Sequence, residues 1–90
     1  MKPEQKIICI DAVRQYGEES QKHMAVEECA ELINALMKER RGRVGSIDII
    51  TEIADVVIMC EQLAYIYGPD KVEAEIERKL QRLNSRINNK

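Results

Sequence analysis

IADVVIMC, residues Ile53 to Cys60, decides the fold, because it is the most apolar stretch of the chain and yet contains an acid, Asp55. Around a helix these residues are apolar on nearly every side. Such a helix is buried on most of its surface, which is more burial than a small monomer provides. The stretch therefore predicts a central helix and a protein that associates with copies of itself.

Apolar spacing and the positions of Gly and Pro divide the chain into four helices. The predicted bounds are about Glu4 to Tyr16, Glu18 or Glu19 to Arg40, Ser46 or Asp48 to Tyr67, and Asp70 onward, with a loop from Arg41 to Ile47. In the last helix Asp70 is expected to cap the N-terminus, and Glu73 to complete a capping box. The sequence therefore predicts an all-α, four-helix bundle-like protomer, a single domain over residues 1–90, that assembles into an oligomer.

The composition excludes several classes of protein. Of the 90 residues 44% are apolar and 33% charged, which fits a folded helical domain and not a disordered tail. No apolar run approaches the ~20 residues that span a bilayer, and the N-terminus lacks a secretory pattern, so no membrane partner is expected. The net charge of −2 argues against general nucleic-acid binding. Three cysteines, each alone in an apolar stretch, are typical of reduced thiols in a cytoplasmic protein.

Apolar packing does not explain Asp55, since an ionised carboxylate is costly to bury without a partner. Glu52 lies one turn earlier, and the second helix carries a matching pair, Glu28 and Glu31, with Glu27 beside them. Four carboxylates that face one another repel unless a divalent cation lies between them. Because oxygen ligands favour hard cations, the predicted metal is Mg²⁺ or Mn²⁺, and such sites commonly take phosphorylated substrates.

These acids admit two other interpretations. A Glu-Glu-x-x-Glu run is by itself typical of a solvated helix face, although that does not account for Asp55. A di-iron carboxylate bundle requires Glu-x-x-His motifs from two helices. His23, the one histidine of the sequence, has no glutamate three residues before it, so the di-iron alternative is weak.

Basic residues provide candidate phosphate-binding groups. Lys79, Arg82 and Arg86 share a stripe of the last helix, roughly a quarter turn from its apolar stripe. Lys38 lies on the acidic face of the second helix. Basic residues near a helix C-terminus are also favoured by the helix dipole, so the stripe on the last helix admits both interpretations.

The run EECAE, Glu27 to Glu31, followed after twenty residues by EIAD, Glu52 to Asp55, resembles the signature of the all-α nucleoside triphosphate pyrophosphohydrolases. The similarity extends from Gln21 to about Ile87 and is greatest to short MazG-like proteins. It implies a four-helix homodimer or homotetramer that uses Mg²⁺ to cleave a (deoxy)nucleoside triphosphate into the monophosphate and pyrophosphate.

The resemblance also implies roles for individual residues. Its metal ligands correspond to Glu28, Glu31, Glu52 and Asp55, and Glu27 corresponds to an acid that orients water or supports the ligands. Lys79 and Arg82 correspond to basic positions that contact the triphosphate. Phe and Trp are absent, so the candidates for stacking on the base are Tyr16, Tyr65 and Tyr67.

Three alternatives remain beside this interpretation. The first is a phosphoribosyl-ATP pyrophosphohydrolase. Those enzymes usually have a Lys-x-Gly element before the acid pair, where this chain has Met24, Ala25 and Val26, so this alternative ranks below the main interpretation. A narrower deoxynucleotide pyrophosphatase, specific for dUTP or dCTP, is a second alternative that these residues leave open. A helical interaction module with a vestigial site belongs to a different class, and it predicts no stabilisation by Mg²⁺.

Overall fold

The computed structural model describes residues 1–43 and 45–89, so Val44, in the predicted loop, and Lys90 lie outside the described residues. The described chain forms α1 (Pro3–Tyr16), α2 (Glu18–Arg40), α3 (Ser46–Tyr67) and α4 (Pro69–Asn88), and these residues contain no strand. The all-α prediction is confirmed, and the observed helix bounds lie within a residue or two of the predicted ones.

Two glycines make the tight connections between helices. Gly17 joins α1 to α2 with a φ of 93°, and Gly68 joins α3 to α4 with a φ of 115°. Residues that have a Cβ rarely adopt these backbone angles. The Gly17 amide donates to the Val13 carbonyl at 2.8 Å, and the Gly68 amide donates to the Ala64 carbonyl at 2.9 Å. Each glycine therefore closes the last turn of one helix and redirects the chain into the next.

The predicted capping box of the last helix is wrong. The N-cap of α4 is Gly68, no side chain caps this end, and the helix begins at Pro69. Proline suits the first helical position because its fixed φ is already helical and no amide is needed there. Asp70 instead lies in the first turn, where its negative charge is favoured by the helix dipole.

Helix α3 is the centre of the fold. It contacts α1, α2 and α4, whereas α4 packs against α3 and against no other described helix. The buried apolar side chains come from the first three helices: Cys9, Val13, Ala25, Ile49 and Met59. No described side chain of α4 is buried, although its sequence is strongly amphipathic. None of the described helices is long and apolar enough to cross a membrane.

The chain is more open than a compact domain of its length. Its Cα radius of gyration is 15.6 Å, against roughly 12 Å for a typical 90-residue domain. The apolar side of α4 accounts for part of this openness, because four of its side chains are exposed: Ile76, Leu80, Leu83 and Ile87. We call these four residues the α4 stripe. The amphipathic pattern of α4 predicts that this apolar side packs against a partner, and in the single chain it is exposed.

A pair of buried glutamines fixes the register of α2 against α3. The Gln21 side-chain amide donates to Gln62 Oε1 at 2.7 Å, and Gln62 Nε2 approaches the Met59 sulfur at 3.8 Å. Both glutamines are buried. A buried amide that lost its partner would be costly, so this bond favours one alignment of the two helices.

Replacing one glutamine should cost more stability than replacing both. Gln62→Ala removes the acceptor of the buried Gln21 amide, and we expect the free energy of unfolding to fall by about 1–3 kcal/mol in urea titrations. The double variant Gln21→Met with Gln62→Met leaves no unpaired polar group and should stay closer to the wild type. A double variant that is less stable than Gln62→Ala would contradict the assigned role of the bond.

Candidate metal centre

The antiparallel arrangement of α2 and α3 places acids from both helices on one seam. Gln21 lies opposite Gln62, and Glu31 and Glu52 approach each other further along the same pair of helices. Positions seven residues apart lie on nearly the same side of a helix, so Glu28 shares the side of Gln21. The seam that is polar but uncharged at the glutamines therefore becomes acidic about two turns further along.

Three carboxylates converge on this seam. Glu28, Glu31 and Glu52 each present one oxygen, and these three oxygens lie within 4.8 Å of one another. Glu28 and Glu52 are half-buried, and Glu31 is exposed. The structure thus brings together three of the four predicted ligands, two from α2 and one from α3.

Glu28 and Glu52 each have a buried oxygen that no other described residue contacts by a hydrogen bond. The Oε2 atoms of these two residues are buried and receive no hydrogen bond within the described part of the chain. Burial, the largest cause, raises the pKa of Glu28, and the negative charges of Glu31, Asp55 and Glu52 raise it further. Burial likewise raises the pKa of Glu52, with added repulsion from Glu31 and Asp55. Ionised carboxylates without a counter-ion are disfavoured here, and a bound cation would offset both the cost of burial and the repulsion.

Asp55, the fourth predicted ligand, is half-buried on α3, one turn after Glu52. It does not belong to the group of three whose oxygens lie within 4.8 Å. Its charge nevertheless acts on the pKa of both Glu28 and Glu52. Asp55 therefore borders the acidic cluster and extends it along α3.

A cleft of about 300 Å³ opens beside the cluster. Its lining includes Glu31 and Glu52 together with the predicted phosphate-binding residue Lys38. The cleft also contains three polar residues that sequence reasoning missed: Asn34, Asp48 and Thr51. The sequence held a signal for two of them: Asn34 is three residues after Glu31, and Asp48 is four residues before Glu52, so each shares a helix face with a predicted ligand.

Other predicted site residues lie outside this cluster. The exposed Glu27 contacts His23, with 3.0 Å between Oε1 and Nε2. Lys79 lines a separate groove with Tyr67 and Ile76. Arg82 is exposed on α4, the helix that contacts α3 but not α2 among the described residues. The structure therefore does not place Lys79 or Arg82 beside the three converging carboxylates.

Comparison of the chain with protein-family models, with curated proteins and with solved structures gave no match.

Mg²⁺ should stabilise the folded chain through the acidic cluster. Adding Mg²⁺ to protein treated with a chelator should raise Tm. In a domain of this size the rise is about 4–8 °C for each kcal/mol that Mg²⁺ binding adds to the free energy of unfolding. Glu52→Gln should raise Tm without metal, because it removes a repelling charge, and should abolish the Mg²⁺-dependent shift. Glu39→Gln, an exposed position on α2, is the matched control. Equal Mg²⁺ shifts in wild type and Glu52→Gln would contradict this site.

The raised pKa values of Glu28 and Glu52 predict how stability changes with pH in the absence of metal. A carboxyl whose pKa is raised by folding favours the folded state below its ordinary range, near 4.5, and this contribution is lost as pH rises through the raised pKa. The Tm of the wild-type protein should therefore fall, relative to that of the double variant Glu28→Gln, Glu52→Gln, as pH rises from the ordinary glutamate pKa of 4.5 to the raised values. A constant difference in Tm between the two proteins would contradict the raised values.

Proposed function

We propose that the chain is a MazG-like nucleoside triphosphate pyrophosphohydrolase that uses Mg²⁺, or Mn²⁺, to release pyrophosphate. The observation that carries the proposal is the convergence of Glu28, Glu31 and Glu52, with two buried oxygens that lack hydrogen-bond partners among the described residues. The order and spacing of the acids, which resemble the signature of that family, support the same reaction.

The residues fit a hard divalent cation. The converging donors are all carboxylate oxygens, which is the ligand type that Mg²⁺ and Mn²⁺ prefer over the nitrogen and sulfur of zinc or copper sites. Glu28, Glu31 and Glu52 would hold the ion, with Asp55 beside them as the fourth ligand of the proposal. A cation there would neutralise phosphate charge and acidify a bound water.

Two further residues have proposed roles: Lys38, which lines the cleft, and Glu27, which lies outside the acidic cluster. Lys38 lies in the same cleft as Glu31 and Glu52, where its ammonium would bind phosphate oxygens. Glu27, whose Oε1 is held by His23, would orient water at the edge of the site.

In the overall reaction water adds to the α-phosphorus, and the bond from that phosphorus to the bridging oxygen breaks. Pyrophosphate is then the leaving group.

The proposal includes a homodimer or homotetramer. Lys79 and Arg82 lie on α4, away from the carboxylates of their own chain. Their proposed contact with the triphosphate therefore requires either movement of α4 or delivery from another copy. Either route makes these two residues dependent on how α4 is packed in the assembled protein.

Pyrophosphate release from a panel of canonical and modified nucleoside triphosphates, with Mg²⁺ or Mn²⁺, tests the function. Asp55→Asn should keep the fold and lower turnover by at least about a hundredfold, since even groups that only support metal ligands are worth ten- to a hundredfold. Glu39→Gln should retain wild-type turnover. Absence of pyrophosphate from every nucleotide with the wild-type protein, or full activity in Asp55→Asn, would refute the proposal.

A further inference from the structure

The cleft beside the acidic cluster extends toward the C-terminal end of α2. Its lining on that helix includes Glu31, Asn34 and Lys38. By the helical rise, Asn34 lies roughly 5 Å beyond Glu31 along the axis of α2, and Lys38 lies roughly 10 Å beyond it. Because long side chains on a helix lean toward its N-terminus, Lys38 can place its ammonium over the turn that contains Asn34. An amide and an ammonium therefore follow the carboxylates in successive turns.

In the opposite direction the seam is closed by packing. Ala25 is buried three residues before Glu28, and Gln21 and Gln62 are buried with 2.7 Å between their side-chain nitrogen and oxygen. A ligand held at the carboxylates therefore extends either along the cleft toward Lys38 or outward into solvent.

The polar side chains of the cleft differ in whether they already have partners. Asp48 Oδ2 accepts a hydrogen bond from the Gly45 amide at 3.3 Å, and the Thr51 hydroxyl donates to a backbone carbonyl one turn earlier at 3.0 Å. Asn34 and Lys38 are exposed, and their side chains form no hydrogen bond or ion pair with the described residues. These two side chains are therefore available to a ligand.

The end of the cleft at Lys38 is positively charged. Residues 38–48 contain four basic side chains and two acids. The Lys38 carbonyl accepts hydrogen bonds from the amides of Arg41 and Arg43 at 3.1 Å and 2.9 Å, so the basic turn folds back on the end of α2. The charge along the cleft thus changes from negative at the carboxylates to positive about two turns later. A cation at the carboxylates and the ammonium of Lys38 together favour an extended anion such as a chain of phosphates.

The cleft contains no surface on which a nucleobase could stack. Ala35 is the one apolar residue among the described residues that line it, and none of them is aromatic. Tyr67 lines other grooves, and Tyr65 lies thirteen residues after Glu52, roughly 20 Å along α3. Tyr16 ends α1 and so lies near the start of α2, whereas the cleft lies near its end. The volume of about 300 Å³ is at the lower limit for sites that enclose a whole drug-sized ligand, so it suits part of a nucleotide.

We propose that Asn34 and Lys38 hold the β and γ phosphates of the substrate, which leave as pyrophosphate, and that the nucleoside lies outside the cleft. This inference rests on the proposed function and adds the direction of the substrate along the seam. With the α-phosphate beside the carboxylates, the Asn34 amide donates to the next phosphate and the Lys38 ammonium pairs with the terminal one. Asn34 and Lys38 are thus positioning residues for the leaving group.

Calorimetric titration with pyrophosphate in the presence of Mg²⁺ tests this assignment without turnover. The wild-type protein should bind pyrophosphate. Asn34→Ala and Lys38→Gln should each raise the dissociation constant at least about fivefold, since each removes a hydrogen bond to a charged group. Lys38→Arg should retain most of the affinity, and Lys71→Gln, the same change of charge on α4, should bind as the wild type does. Wild-type affinity in either Asn34→Ala or Lys38→Gln, or a wild type that binds no pyrophosphate, overturns the proposal.

Turnover separates this inference from the proposed function. Lys38→Gln should raise KM by the same factor for purine and pyrimidine nucleoside triphosphates. It should weaken inhibition by pyrophosphate and leave inhibition by the nucleoside monophosphate unchanged. A rise in KM confined to one base would place the nucleoside beside Lys38 and overturn the proposal. Pyrophosphate binding that depends on Lys38, in a protein that hydrolyses no nucleotide, would support the subsite and refute the proposed function.

Discussion

Repulsion among carboxylates held between two packed helices is the constraint on which the rest of this structure depends. Glu28, Glu31 and Glu52 converge because α2 and α3 are aligned by contacts that lie outside the cluster. The buried Gln21–Gln62 bond lies toward one end of the helix pair, and Ile49 is buried toward the other. Packing at the two ends therefore holds together acids that would separate if they were free to do so. This stored repulsion makes the seam a place where a cation gains binding energy from the fold itself.

Helix α3 has different chemistry on its different sides. One side contributes Glu52 to the acidic cluster and Met59 to the core, while the side formed by Ile50, Ile53 and Val57 is apolar and exposed. Near-uniform hydrophobicity around a helix is needed only when each side has a partner. In this chain α1, α2 and α4 contact part of α3, and the side with Ile50, Ile53 and Val57 stays exposed. The apolar character of residues 53–60 thus reflects several separate contacts and not one continuous core.

Much of the fold could be predicted from the sequence, because glycine and proline mark the helix ends at Gly17 and at Gly68-Pro69. The meeting of acids across the seam could also be anticipated, because Asp55 lies in an apolar stretch and Glu28 and Glu31 are spaced to share a helix face. The predicted cap of α4 is wrong, since Asp70 has the chemistry of an N-cap but the helix already begins at Pro69.

Other features depended on tertiary contacts that no local pattern specifies. The Gln21–Gln62 pair lies between residues far apart in sequence, and only the alignment of α2 with α3 brings them together. Amphipathicity predicts that α4 has a packing face, but it does not specify what that face packs against. The structure shows α4 docked on α3 with its stripe exposed, which places Lys79 and Arg82 away from the acids.

The attachment of α4 by way of Gly68 has a consequence for the dynamics of the single chain. Among the described residues α4 contacts one neighbouring helix and buries no side chain, so it loses little when it detaches and should open at a lower free energy than the hairpin of α2 and α3. Its amide protons should exchange with solvent deuterium well before those of the seam. We therefore expect α1, α2 and α3 to unfold as one cooperative unit and α4 to have its own local unfolding equilibrium.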